Sequence, residues 1–260
     1  MEKAIEVKNL YVSYDKTKVI EDLSLTIPKG KITIIIGPNG CGKSTLLKTI
    51  GRIKKADSGT VLIEDKPITK YDTKELAKRM AILPQSPIVP QGLLVKELVS
   101  SGRFPYQKPL GSLTKKDLDI IHWAMEKTGV LEYADQAVDA LSGGQRQRVF
   151  IAMALAQETE IVLLDEPTTF LDIAYQIDIL KLLVDINKAS KRTVVVVLHD
   201  LNHAFRFADT IIGMKKGKIL FQGRPKEVIT EKSLKDIYGV TSELILDKTG
   251  SYPICIEYDL

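Results

Sequence analysis

Cysteine is scarce: Cys41 and Cys255 are the two in 260 residues. Neither their number nor their spacing suggests a disulfide framework or a thiolate metal site. Aromatic residues reach only 6%, and there is no internal repeat or low-complexity tract. No apolar run approaches the ~20 residues that span a bilayer. The opening residues, Met1-Glu2-Lys3-Ala4-Ile5-Glu6, lack the apolar stretch of a secretion signal. A strong excess of one charge is missing too. The formal net charge of +4 is spread along the chain, which favours a plain solvated surface over one built for nucleic acid or an anionic membrane. These absences leave a soluble intracellular enzyme as the expectation, one that reaches a membrane only through partners. Its 44% apolar residues suffice for one large α/β domain, or for one with an inserted subdomain.

The chain reads as alternating strands and helices. Strands are expected at 4–14, 19–27, 32–36, 60–64, 81–83, 161–165 and 193–198, and helices at 43–51, 72–79, 143–157 and 174–190. The runs 161–164 and 193–198 are apolar without alternation, as in strands covered on both faces. Residues 86–140 change character, with prolines at 87, 90, 105 and 109 and a helical pattern from Thr114, its cap, to Thr128. This stretch reads as an inserted helical subdomain. The remainder, 210–260, carries short strands and a helix near 231–238.

One motif carries the chemistry. Gly37-Pro38-Asn39-Gly40-Cys41-Gly42-Lys43-Ser44-Thr45 directly follows the apolar run Ile32–Ile36. A strand feeding a glycine-rich turn that opens a helix is a phosphate-binding loop. Gly37, Gly40 and Gly42 let the backbone curl so that its N–H groups point inward. The helix from Lys43 aims its positive dipole end at the same spot. Lys43 adds a mobile cation for the β- and γ-phosphates, Ser44 a hydroxyl for Mg²⁺, and Thr45 support on the α-phosphate side. A nucleoside triphosphate with Mg²⁺ is the expected ligand.

Asp165 and Glu166 close the strand at 161–164. A carboxylate there can hold Mg²⁺, directly or through water, while Glu166, turning the other way, can take a proton from an attacking water. His199 follows the strand 193–198, where a neutral imidazole can contact the γ-phosphate and help hold that water. His122 and His203 lack such placement and read as ordinary solvated residues. In Leu141-Ser142-Gly143-Gly144-Gln145, Ser142 is a natural N-cap. The glycine pair Gly143 and Gly144 leaves backbone N–H groups open to an anion. Two phosphate-binding helix starts, about 100 residues apart, accompany one carboxylate pair. One economical use is for two chains to close head-to-tail over shared nucleotides.

With Leu141–Gln145 followed by Leu163-Leu164-Asp165-Glu166-Pro167, the chain resembles the ATP-binding cassette (ABC) ATPases over essentially its whole length. The resemblance implies a P-loop α/β core (1–85 and 141–222) with a mixed sheet and an antiparallel β subdomain, a helical subdomain (86–140) and a C-terminal extension (223–260). It implies ATP and Mg²⁺ as cofactors and a homodimer in which Ser142, Gly143, Gly144 and Gln145 of one copy complete the opposing copy's loop. Glu166 matches the general base, His199 the switch histidine, and Asp165 the metal-side carboxylate. Gln85 matches the glutamine that senses Mg²⁺ and signals to transporter subunits. Tyr14 matches the ring that stacks on adenine, and Asp172 the loop linking the two sites. Implied partners are two integral-membrane permease subunits and, indirectly, an external substrate-binding protein, with the ATPase peripheral on the cytoplasmic face of the membrane.

Ser101–Tyr106, Thr168–Ile173 and Gly223–Thr230 look most like the importers of ferric siderophores, of the ferrichrome type. Importers of haem or vitamin B12, or a soluble non-transport ABC ATPase, are the alternatives. A ribosomal ABC protein usually has two cassettes, and a chromosome ATPase a long coiled coil; this chain has room for neither. Cys41, at a helix start beside Lys43, is expected to have a lowered pKa. A thiol reagent should then block ATP hydrolysis, and prior ATP should protect.

Overall fold

The computed structural model describes residues 2–85, 87–108 and 111–259; Ser86 and Pro109, named above, lie outside them. In chain order the elements begin with β1 (Lys3–Tyr14), β2 (Thr17–Pro28), β3 (Ile32–Ile36), α1 (Lys43–Ile50), β4 (Ser58–Ile63) and β5 (Lys66–Pro67). Next come α2 (Thr73–Arg79), β6 (Met80–Leu83), α3 (Val95–Ser101), α4 (Lys115–Thr128), α5 (Gly143–Ala156), β7 (Ile161–Asp165) and α6 (Ile173–Ser190). The chain ends with β8 (Thr193–Val197), α7 (Leu201–Phe207), β9 (Thr210–Lys215), β10 (Lys218–Gly223), α8 (Pro225–Val228), α9 (Glu231–Tyr238), β11 (Thr241–Leu246) and β12 (Pro253–Asp259). Two compact units form, Met1–Lys70 with Val184–Leu260, and Tyr71–Leu183. The short helices α3, α7 and α8 were not expected. These three carry too little periodicity to read, and tertiary packing decides them.

In the first unit, β1, β2, β4 and β5 make an antiparallel sheet in the order β2-β1-β4-β5. Its inward residues alternate, with Ile5, Val7, Leu10 and Val12 of β1 buried, the pattern of a sheet covered on one side. β3 lies parallel between β8 and β9, with Ile34 opposite both Val196 and Ile211. The antiparallel β10 pairs with β9 to make this sheet mixed. All five residues of β3 and of β8 are buried. Their unbroken apolar character is that of strands enclosed on both faces. β11 and β12 form a separate hairpin.

In the second unit β6 and β7 run parallel, with Leu83 opposite Leu164, and α3, α4 and α5 pack on one another. Thr114 caps α4 by accepting from Asp117 N–H, and Gly129 ends it at φ 67°. The helices meet at Arg103, which is 2% exposed. Its Nε donates to Asp117 (2.8 Å) and its Nη1 to Ala156 O (2.8 Å) and Glu158 (2.9 Å). The guanidinium lies 3.9 Å from the centroid of Tyr106. A buried cation persists only when paired and fully hydrogen-bonded, so this one knits α4, the end of α5 and the Phe104–Tyr106 turn together. The Thr114 hydroxyl first, then Arg103, holds the Asp117 carboxyl below its ordinary range.

Arg103→Met removes the cation hydrogen-bonded to the buried Asp117, and is expected to cost about 3 kcal/mol in urea unfolding. A depressed folded pKa gives stability above the unfolded value, near 4, and this is lost as pH falls through the folded value. Wild-type stability should therefore fall below about pH 4 more steeply than that of Arg103→Met.

Candidate nucleotide site

Parallel strands deliver their following turns at one end, which is where open α/β sheets bind ligands. In the first unit β3 and β8 do this side by side: Ile35 faces Val197, and Leu198 N–H donates to Ile35 O at 3.2 Å. The phosphate loop leaves one strand and the turn bearing His199 leaves the other, two residues beyond the strand end. His199 is exposed. At Gly37 the backbone takes φ 151°, and a Cβ there would lie 2.1 Å from Met214 O, so only glycine fits. Gly42 occupies the position just before α1 in the left-handed region, φ 104°, and having no side chain to cap the helix it leaves the first-turn N–H groups to an anion. Lys43 is 5% exposed, and its ammonium donates to Gly37 O (2.8 Å) and Pro38 O (3.0 Å). Asn39 and Gly40 stand exposed, Ser44 is half-buried and Thr45 is buried. Tyr14, the last residue of β1, is half-exposed with Lys54 Nζ 4.3 Å from its ring centroid.

In the second unit β6 and β7 repeat the arrangement. Gln85 leaves the end of one and Glu166 the end of the other, and the Gln85 amide donates to Glu166 Oε2. Thr169 also donates to Oε2, at 3.2 Å; sequence reasoning missed it, though it stands three residues beyond Glu166. Glu166 has φ 52°. A non-glycine residue in that region costs about 1–3 kcal/mol. Asp165, inside the strand end, is 3% exposed. With its NH₂ turned to Glu166, Gln85 keeps its amide oxygen for a cation. The Gln85 oxygen and Asp165 carboxylate here, and the Ser44 hydroxyl in the first unit, are each hard oxygen donors of the kind Mg²⁺ takes. No cluster of three or more His, Cys, Asp or Glu suited to another metal occurs among the described residues.

In the Leu141–Gln145 turn the Ser142 cap is as the sequence suggests, but the glycine pair is not equally open. Ser142 Oγ accepts from Gln145 N–H, and Ser142 N–H donates to Gln145 Oε1. This reciprocal cap uses a lone pair, leaving the hydroxyl proton for an incoming oxygen. Gly143 is exposed, but Gly144 is buried under Tyr175, where a Cβ would lie 2.8 Å from Cδ1. Nothing in the sequence pointed to Tyr175. Asp172 caps α6 by accepting from Tyr175 N–H at 3.1 Å, so the same helix start shapes the Asp172 loop and the glycine pair.

Two expectations are corrected. Cys41 is 4% exposed, and burial pushes its thiol pKa up, outweighing the nearby Lys43. His203 is not solvated: its side chain is 13% exposed, 3.7 Å from Asp200, with its ring edge against Phe207. His122 is exposed as expected. Cys41 should therefore react with N-ethylmaleimide at pH 7 far more slowly than it does in urea, and ATP should add little protection. A native rate matching the unfolded one would contradict this.

Residues 20–169 match the ABC transporter family. The iron(3+)-hydroxamate import ATP-binding protein FhuC of Bacillus subtilis is 52% identical, the alignment covering 99% of this chain and 96% of that one. The ferric enterobactin transport ATP-binding protein FepC of Escherichia coli is 46% identical, covering 96% and 92%. Among solved structures, the dimeric bacterial ABC transporter cassette MJ0796 superposes with a TM-score of 0.75 at 32% identity, over 85% of this chain and 98% of that one. The same cassette is known as a dimer bound to ADP and Pi. Motif, fold and likeness agree, and this chain belongs to the ABC transporter family as one of its ATPase cassettes.

Proposed function

We propose that this chain is the ATP-hydrolysing subunit that powers import of an iron(III)–siderophore complex through a membrane permease. The observation that carries the catalytic part is Lys43, a buried ammonium held by two loop carbonyls at a helix start that glycine leaves uncapped. The names of the 52% and 46% identical relatives support the cargo class. No helix among the described residues is long and apolar enough to cross a membrane, which suits a subunit working on the cytoplasmic face beside two permease subunits. An external binding protein would deliver the chelate, which this chain need not touch.

In this reading two copies close head-to-tail on two ATP molecules. Loop N–H groups and Lys43 grip the β- and γ-phosphates, while Ser142 and Gly144 of the opposing copy reach the γ-phosphate. Mg²⁺, when bound, neutralises charge on the phosphates. Ser44, Asp165 and Gln85 would hold it. Glu166 takes the proton of the attacking water, held in place by Gln85 and Thr169, and His199 steadies the γ-phosphate. Tyr14 stacks on adenine, and Asp172 passes closure from one site to the other. Residues 86–140 act as the helical subdomain that moves against the permease, and 223–260 as the C-terminal extension. Charge repulsion after cleavage and loss of the γ-phosphate bridge reopen the pair.

Glu166→Gln should keep ATP binding, lose turnover by about a hundredfold or more and run as a dimer in ATP by size-exclusion chromatography. Rapid turnover by this variant would remove Glu166 as base. Lys43→Ala should abolish hydrolysis. Deleting the gene should stop uptake of radiolabelled ferric hydroxamate under iron limitation, and normal uptake would refute the transport role.

A further inference from the structure

The Ser142–Gln145 turn is braced by the start of α6. A Cβ on Gly144, the second residue of α5, would lie 2.8 Å from Cδ1, 3.1 Å from Cγ and 3.2 Å from Cε1 of the Tyr175 ring. Its neighbour Gly143 is less confined, since a Cβ there would make ordinary contact, 3.5 Å from Leu171 Cδ2. The backbone of Gly144 is helical and its φ is not positive, so backbone conformation does not demand glycine at this position. The ring does. Tyr175 is itself 45% exposed, so removing it takes little from the core.

The same stretch of α6 is tied to the Asp172 loop and, through it, to Glu166. Tyr175 N–H donates to Asp172 Oδ1 at 3.1 Å, Gln176 N–H to Asp172 O at 2.9 Å, and Gln176 Nε2 to Leu171 O at 2.8 Å. Further back, Thr169 N–H donates to Glu166 O at 3.3 Å and its hydroxyl to Glu166 Oε2 at 3.2 Å. One turn along α6, Asp178 pairs with Arg148 of α5. Residues 166–178 thus form a hydrogen-bonded run that starts at the carboxylate of Glu166 and bears on the glycine turn through the Tyr175 ring.

We propose that Tyr175 is a positioning residue for the ATP-driven pairing of two copies: its ring, pressed on Gly144, sets where the first-turn N–H groups of α5 point. Those groups have no partner within the helix, so a shift of the turn moves the donors offered to an opposing phosphate. The ring also makes the Ser142–Gly144 turn move with the Asp172 loop. Gly144 is then glycine to admit the tyrosine, not to admit the phosphate, because alanine would keep the N–H. This rests on the head-to-tail ATPase reading and adds to it a residue that acts through Gly144 without touching nucleotide.

The test uses the full-length chain carrying Glu166→Gln, with pairing in MgATP read by analytical ultracentrifugation. Gly144→Ala should weaken the dimer about tenfold or more, since its methyl and the ring cannot share the space. Adding Tyr175→Ala should bring pairing back to the level of Tyr175→Ala alone, a strongly coupled double-mutant cycle. Tyr175→Ala by itself should weaken the dimer about three- to tenfold, and Tyr175→Phe, which keeps the ring, should pair normally. Binding of a fluorescent ATP analogue to protein too dilute to pair should not change in any of them. In nucleotide-free protein, hydrogen exchange of the Gln145 and Arg146 amides, held by Ser142 Oγ and O, should be faster in Tyr175→Ala and normal in Tyr175→Phe. A double variant as weak as Gly144→Ala alone would show that nucleotide, not tyrosine, requires the glycine, and would overturn the proposal. Normal pairing in Tyr175→Ala, or losses that only follow a lower melting temperature, would overturn it as well. Failure of the Glu166→Gln parent to pair in ATP would strike the head-to-tail reading instead, leaving the exchange rates to decide this one.

Discussion

Everything chemical in this chain depends on strands enclosed on both faces and paired in parallel. A strand such as Ile32–Ile36, with every residue buried, cannot end gradually. Its last peptide must hand the chain to a turn that satisfies its own polar groups at the sheet edge. Parallel pairing makes neighbouring strands do so at the same end. β3 and β8 therefore present the glycine loop and His199 together, while β6 and β7 present Gln85 and Glu166 together. The apolar runs that form the core are the same feature that gathers the polar side chains.

The enclosed strands and the phosphate loop were legible in the sequence because each rests on local rules. Ile32–Ile36, Ile161–Asp165 and Thr193–Val197 are apolar without alternation, and glycine at position 37 is demanded by backbone conformation. Thr114 and Ser142 were legible as caps for the same reason, since a cap is a contact across three residues. Local reasoning failed where a distant part of the chain sets the environment. At Cys41 a helix start and a neighbouring lysine argued for a low thiol pKa, but burial outweighs both. At His203 nothing nearby in sequence disclosed Phe207 stacked edge-on and Asp200 within reach. Tyr175 lies about 30 residues from Gly144, too far for any periodicity to join them.

Arg103 shows the same limit from the other side. The Ser101–Tyr106 stretch was noticed for its likeness to iron-chelate importers, without a physical reason for its arginine. That reason is a charge 2% exposed, shared among Asp117, Glu158 and a backbone carbonyl. Gly102 completes it, because a Cβ there would lie 2.3 Å from Met153 O. Small residue and buried cation are two halves of one close approach between α3 and α5. Lysine could supply the charge but not the forked geometry that reaches three acceptors.

The burial of Cys41 has a bearing on oxidative chemistry. Peroxide attacks thiolates far faster than thiols, and oxidation begins with a sulfenic acid that adds an oxygen to the sulfur. Gly37 already leaves no room on that side, with its Cβ position 2.9 Å from Sγ, so an added oxygen would deform the loop. A cell that takes up iron also has to contend with peroxide, and a neutral, enclosed sulfur spares this ATPase that route to inactivation.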